Sequence, residues 1–107
     1  MRSEPEDLPV ACSLPDADLR EREATLLTKF RSAVIRTEEL DDGFIYRLAT
    51  NENSIACAAA LILAERECCP FLTFALTAAP RRGPVDLRVT GPAGTKEFLR
   101  TMLHRPD

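Results

Sequence analysis

The spacing of apolar residues changes several times along this chain, and each change marks an element. Residues 1–11 hold three acidic residues, two prolines and little to bury, which predicts a mobile tail. Leu19, Ala24, Leu26, Leu27, Phe30 and Val34 then recur at three- and four-residue steps among Arg20, Glu21, Arg22, Glu23 and Lys29. That period predicts an amphipathic helix over about 16–32, with Ser13, Pro15 and Asp16 suited to its start. Val34–Leu40 and Phe44–Thr50 flank Asp41-Asp42-Gly43, the signal of a hairpin in which glycine accepts a positive φ. In the second run Phe44, Tyr46 and Leu48 alternate with Ile45, Arg47 and Ala49, so one face points inward.

Asn51 or Asn53 can cap a second helix that runs to about Cys69 and is stopped by Pro70. From Ile55 to Ala64 it is apolar all round, which predicts the most buried helix of the molecule. Phe71–Ala78 reads as a third strand, Pro80–Pro84 as a turn, and Val85–Thr90 as a fourth strand with Val85, Leu87 and Val89 inward. A last helix over about 94–104 carries Phe98, Leu99, Met102 and Leu103 on one face. The order α-ββ-α-ββ-α predicts an α+β fold, a two-layer sandwich on a mainly antiparallel four-stranded sheet, in one domain over 12–107. Strand three is apolar on both faces and needs a cover, either helix one or a symmetric partner chain; a homodimer is expected.

Composition narrows the partners. The chain has 107 residues, 14 Lys+Arg against 17 Asp+Glu, and a formal charge of −3, which argues against a nucleic-acid binder. Its most apolar stretch is about ten residues, half of what a bilayer crossing needs. The acidic N-terminus lacks the pattern of a secretory signal, so the expectation is a cytoplasmic protein with reduced cysteines.

The unusual segment is Glu65-Arg66-Glu67-Cys68-Cys69-Pro70-Phe71. Two adjacent thiols end the apolar helix, and Glu65 lies three and four residues before them on the same side. Cys57 shares the stripe of Cys68 but lies about 16 Å up the helix, too far for one metal ion, and is assigned to the core. A vicinal disulfide is disfavoured, because adjacent Cα atoms lie about 3.8 Å apart and relaxed disulfides prefer roughly 4.4–6.8 Å. A soft-metal site is easier: neighbouring thiolates can hold Zn(II), Cu(I) or Hg(II), with Cys12 as the best third donor and Glu65 or His104 completing a zinc shell. In the plain alternative the two cysteines fill space beneath Phe71 and Phe74. Thiol catalysis is opposed by the negative end of the helix dipole and by Glu65 and Glu67, with only Arg66 in favour.

The Glu65–Phe71 segment, together with Thr90-Gly91-Pro92-Ala93-Gly94-Thr95-Lys96-Glu97-Phe98-Leu99, resembles a group of small, uncharacterised bacterial proteins. They share E-R-x-C-C-P-F and G-P-x-G-x-K-E-F-L segments and a cysteine ahead of the first helix, matched by Cys12. The resemblance implies no reaction, but it nominates Cys12, Cys68 and Cys69 as a set.

Gly91–Lys96 only faintly resembles a phosphate cradle: two residues rather than four separate its glycines, and Thr95 precedes the lysine. Helix capping is the simpler account. His104 reads as a last-turn histidine favourably placed against the helix dipole, and Arg81-Arg82 as a solvated turn. The reading is therefore a metal- or metalloid-binding protein for sequestration, delivery or sensing, with no catalytic residue assigned. The alternatives are a non-catalytic interaction module with packing cysteines and, lacking a cationic activator, a thiol redox enzyme or lyase.

Overall fold

A computed structural model describes residues 17–104; the tail over 1–11 and Cys12 lie outside the described residues. In chain order the elements are α1 (Ala17–Ala33), β1 (Val34–Glu39), β2 (Gly43–Leu48), α2 (Glu52–Cys68), β3 (Thr73–Ala78), β4 (Val85–Thr90) and α3 (Thr95–Leu103). The α-ββ-α-ββ-α order and the α+β class stand as the pattern predicts. The strands form one antiparallel sheet in the order β1-β2-β4-β3, so α2 carries the chain from β2 past β4 to the far edge.

Period-two alternation places Phe44, Tyr46 and Leu48 of β2 and Val85, Leu87 and Val89 of β4 on the buried face. Register locks them in rows, Phe44 beside Val89, Tyr46 beside Leu87 and Leu48 beside Val85. Phe30 of α1 meets Tyr46 edge to face at 5.6 Å, and Leu99 and Leu103 of α3 close the core from the other side. Arg47 and Asp86 pair on the opposite face of the sheet, at 2.7 Å. Lys96 and Arg100 reach Glu39, tying α3 to the end of β1.

Three expectations change. Gly43 does not have a positive φ; it begins β2, where a Cβ would fall against the carbonyl oxygen of Val89, so close backbone approach demands glycine there. The left-handed residues are Gly94 and, in the β3–β4 hairpin, Arg81 (φ 59°) and Arg82 (φ 58°). Gly83 N–H donates to the Pro80 carbonyl at 3.0 Å, which makes this turn type I′ with two arginines where glycine or asparagine is usual. Second, Phe71 and Leu72 are buried but precede β3; Leu72 N–H donates back to the Cys69 carbonyl in a turn.

Third, α2 is not buried all round. Its inner stripe, Ser54, Ala58, Leu61, Glu65 and Cys68, faces the sheet. A second side lies along α1, across a groove lined by Leu26, Lys29, Ala33, Cys57 and Ala60. A two-layer fold gives a helix no third neighbour, and Ile55 and Leu63 stay 39% and 68% exposed. Nor does α1 cover β3: it packs on α2, α3 and β1, and Thr73, Ala75 and Thr77 are exposed.

Candidate metal centre

The site is made where α2 stops. Asn51 caps the start of the helix, its side chain accepting from Ser54 N–H at 2.9 Å, and this fixes the phase of the inner stripe. Alternating four- and three-residue steps then carry that stripe from Ser54 to Cys68. Pro70 follows, and the preceding residue leaves the helical region: Cys69 has φ −128° and ψ 71° while its N–H still donates to the Glu65 carbonyl at 2.7 Å. The break turns the Cys69 side chain to the same side as Cys68. Adjacent residues of a continuous helix would point about 100° apart.

Three donor atoms converge as a result. The Sγ atoms of Cys68 and Cys69 lie 3.8 Å apart. Each thiol donates to Glu65 Oε1, at 3.3 Å from Cys68 and 3.0 Å from Cys69. The ligand atoms of this group all lie within 4.8 Å of one another, and it is the single such cluster among the described residues. At 3.8 Å apart the two sulfurs are not bonded to each other.

Burial is complete. Glu65 and Cys69 have no exposed surface and Cys68 has 1%, although Pro70, next in sequence, is exposed. A carboxyl group and two thiols in an apolar layer are stable when polar partners satisfy them, as Glu65 Oε1 does for both thiols. A free thiolate here would face the last carbonyls of α2 and the Glu65 carboxyl with no water to solvate it. The same donor set around a cation turns those opposing charges into ligands.

His104 lies at the end of the last helix, as expected, but not in a charged or ligating role. It caps the end of α3 and shares a 2.9 Å hydrogen bond between Nε2 and the hydroxyl of Tyr46. Burial, and then the Arg100 charge beside it, hold its imidazole below the ordinary value, so the neutral ring is favoured over the cation that a helix C-terminus would attract. Desolvation pushes the Tyr46 phenol up as well. His104 is outside the thiol cluster. Cys57 is half-buried on the α1 side of α2; burial raises its thiol and the charge of Lys29 opposes the rise.

The Gly91–Lys96 segment is a packing turn. A Cβ on Gly91 would strike Thr95 Oγ1, and Thr95 is itself buried beneath the loop. Thr95 N–H donates to the Pro92 carbonyl, and Gly94 caps α3 in the left-handed region without a side-chain bond. No helix among the described residues is long and apolar enough to cross a membrane. No protein-family model, curated protein or solved structure matches the chain.

Proposed function

We propose that this protein binds a soft divalent metal ion through Cys68, Cys69 and Glu65, and that Zn(II) is the ion the site fits. The observation that carries the reading is the spacing of the three donors. Tetrahedral zinc, with Zn–S near 2.3 Å and Zn–O near 2.0 Å, holds two sulfurs about 3.8 Å apart and sulfur from oxygen about 3.5 Å apart. The separations found are 3.8 Å for the sulfur pair and 3.3 and 3.0 Å for sulfur to oxygen. Movements of a few tenths of an ångström would complete three vertices. A linear two-coordinate ion, the habit of Cu(I) and Hg(II), would need its sulfurs roughly 4.6 Å apart at similar bond lengths.

A fourth ligand would complete a tetrahedral shell, and Cys12 is the proposed donor. Both thiols lose their protons when they ligate, so binding releases acid and weakens as pH falls. Because the donors are sealed, an ion passes in only when the end of α2 opens beside Pro70. Slow exchange suits retention, delivery or sensing.

Titration of the reduced protein with Co(II), then Zn(II), against a chromophoric chelator tests this. The expected result is one equivalent bound, with sulfur-to-cobalt charge-transfer bands, lost in Cys68→Ser/Cys69→Ser and weakened about tenfold or more in Glu65→Gln. If Cys12 is the fourth ligand, Cys12→Ser lowers the cobalt band intensity as well as the affinity. Equal uptake by the wild type and the double serine variant, with no sulfur bands, would overturn the proposal.

A further inference from the structure

The outward side of α2 carries a second pattern. Glu52, Ile55, Ala59, Leu63 and Arg66 are all exposed and follow one another at steps of three, four, four and three. At about 100° per residue, these five project within one narrow sector of the helix, away from the inner stripe. The series is symmetric about Ala59: the acid at one end matches the base at the other, and Ile55 matches Leu63. Among the described residues neither Glu52 nor Arg66 forms an ion pair.

We infer that a second copy of this chain docks on this face, its α2 lying antiparallel to the first across a two-fold axis at Ala59. A two-fold interface requires that residue i meet j while j meets i. Antiparallel pairing about Ala59 does this throughout: Glu52 meets Arg66 of the other copy, Ile55 meets its Leu63, and the two Ala59 residues face each other. Alanine at the centre lets the helix axes approach to the lower end of the usual 8–10 Å range. The two ion pairs close both ends together, because the separation of Glu52 from Arg66 is the same in each helix. Burial of Leu63 and Ile55, 68% and 39% exposed in the single chain, drives association, and the charges fix its direction. Parallel pairing would instead set Glu52 against Glu52 and Arg66 against Arg66.

Sedimentation equilibrium on the full chain, kept metal-free with chelator, reads this independently of the thiol site. The expected species is a dimer of twice the 11.9 kDa chain mass. Arg66→Glu should raise its dissociation constant at least about tenfold, a loss of about 1.4 kcal/mol. Glu52→Arg should do the same, and the Glu52→Arg/Arg66→Glu exchange should restore the dimer to within about threefold. Circular dichroism checks that each variant remains folded, and Leu63→Ser provides a second route to the monomer that leaves the charges in place. A single-chain mass at every concentration up to about 1 mM would overturn the inference. So would a dimer indifferent to all of these changes, which would place the contact elsewhere.

Discussion

The two faces of α2 invert the usual assignment of polar and apolar residues. The face against the sheet ends in a carboxyl group and two thiols with essentially no solvent exposure. Its outer side presents Leu63 to water and leaves Ile55 part-exposed beside the β3–β4 hairpin. A helix selected only to close a core would place these the other way round, since a buried polar group needs specific partners to offset its desolvation and an exposed leucine adds nothing to the core. Both departures carry a geometric signature: a near-tetrahedral spacing of donors inside, and a sequence symmetric about Ala59 outside. On the two proposals above, the inner departure meets an ion and the outer one a second chain.

The strongest way to probe this contrast is to remove an inner residue that does follow the simple rule. Leu61 is buried in the stripe between Ala58 and Glu65. Leu61→Ala should lower the unfolding free energy by about 2–5 kcal/mol in urea denaturation, as large-to-small core changes do. A loss below about 1 kcal/mol would mean that the inner face is not the core contact it looks to be. Next in size is the metal itself. Zn(II) at about one hundred times its dissociation constant should stabilise the reduced protein by about 2.7 kcal/mol, and chelator should reverse this. In Cys68→Ser/Cys69→Ser the melting temperature should not respond to zinc; an undiminished response would separate stabilisation from the thiol pair.

Much of this architecture was legible in the pattern of residues. Phe44-Ile45-Tyr46-Arg47-Leu48 and Val85-Asp86-Leu87-Arg88-Val89 could only be half-buried strands, because period two leaves no other way to hide their aromatic and branched side chains. The grouping of Glu65 with Cys68 and Cys69 followed from helical spacing and from Pro70, both local properties. Tertiary context decided the rest. The role of Gly43 depends on a carbonyl of β4, some 46 residues further along, which no dipeptide rule can include. Likewise, an apolar run from Ile55 to Ala64 does not say how many neighbours a helix will have. A two-layer fold supplied only the sheet and α1, and the surplus became the exposed stripe. His104 does close the last helix, but burial and the Arg100 charge favour its neutral ring, and its partner, Tyr46, lies 58 residues away.

The Tyr46–His104 contact supplies a control, a part-buried polar pair outside the thiol cluster. His104→Ala should cost about 1 kcal/mol, the usual net worth of one hydrogen bond. Its pH dependence has a definite sign. Because the folded-state value lies below the ordinary 6.5, the unfolded chain takes up the proton first. This part of the stability is therefore complete above about pH 6.5 and is lost progressively as the pH falls below it. Measured in chelator, the wild type should show that loss and His104→Ala should not. An unchanged acid limb in the variant would mean that another group governs it.

The smallest effect on the single chain is expected at the most exposed apolar side chain. Leu63→Ser removes a residue that touches little within its own chain, and surface changes of this kind usually fall within about 0.5 kcal/mol. At low protein concentration, where one chain stands alone, its unfolding curve should overlay that of the wild type. At high concentration the curves should part, because only the wild type gains stability by mass action from its partner. Curves that already differ by more than about 1 kcal/mol at low concentration would show Leu63 to be part of the chain's own core. The inversion across α2 would then reduce to its inner face alone.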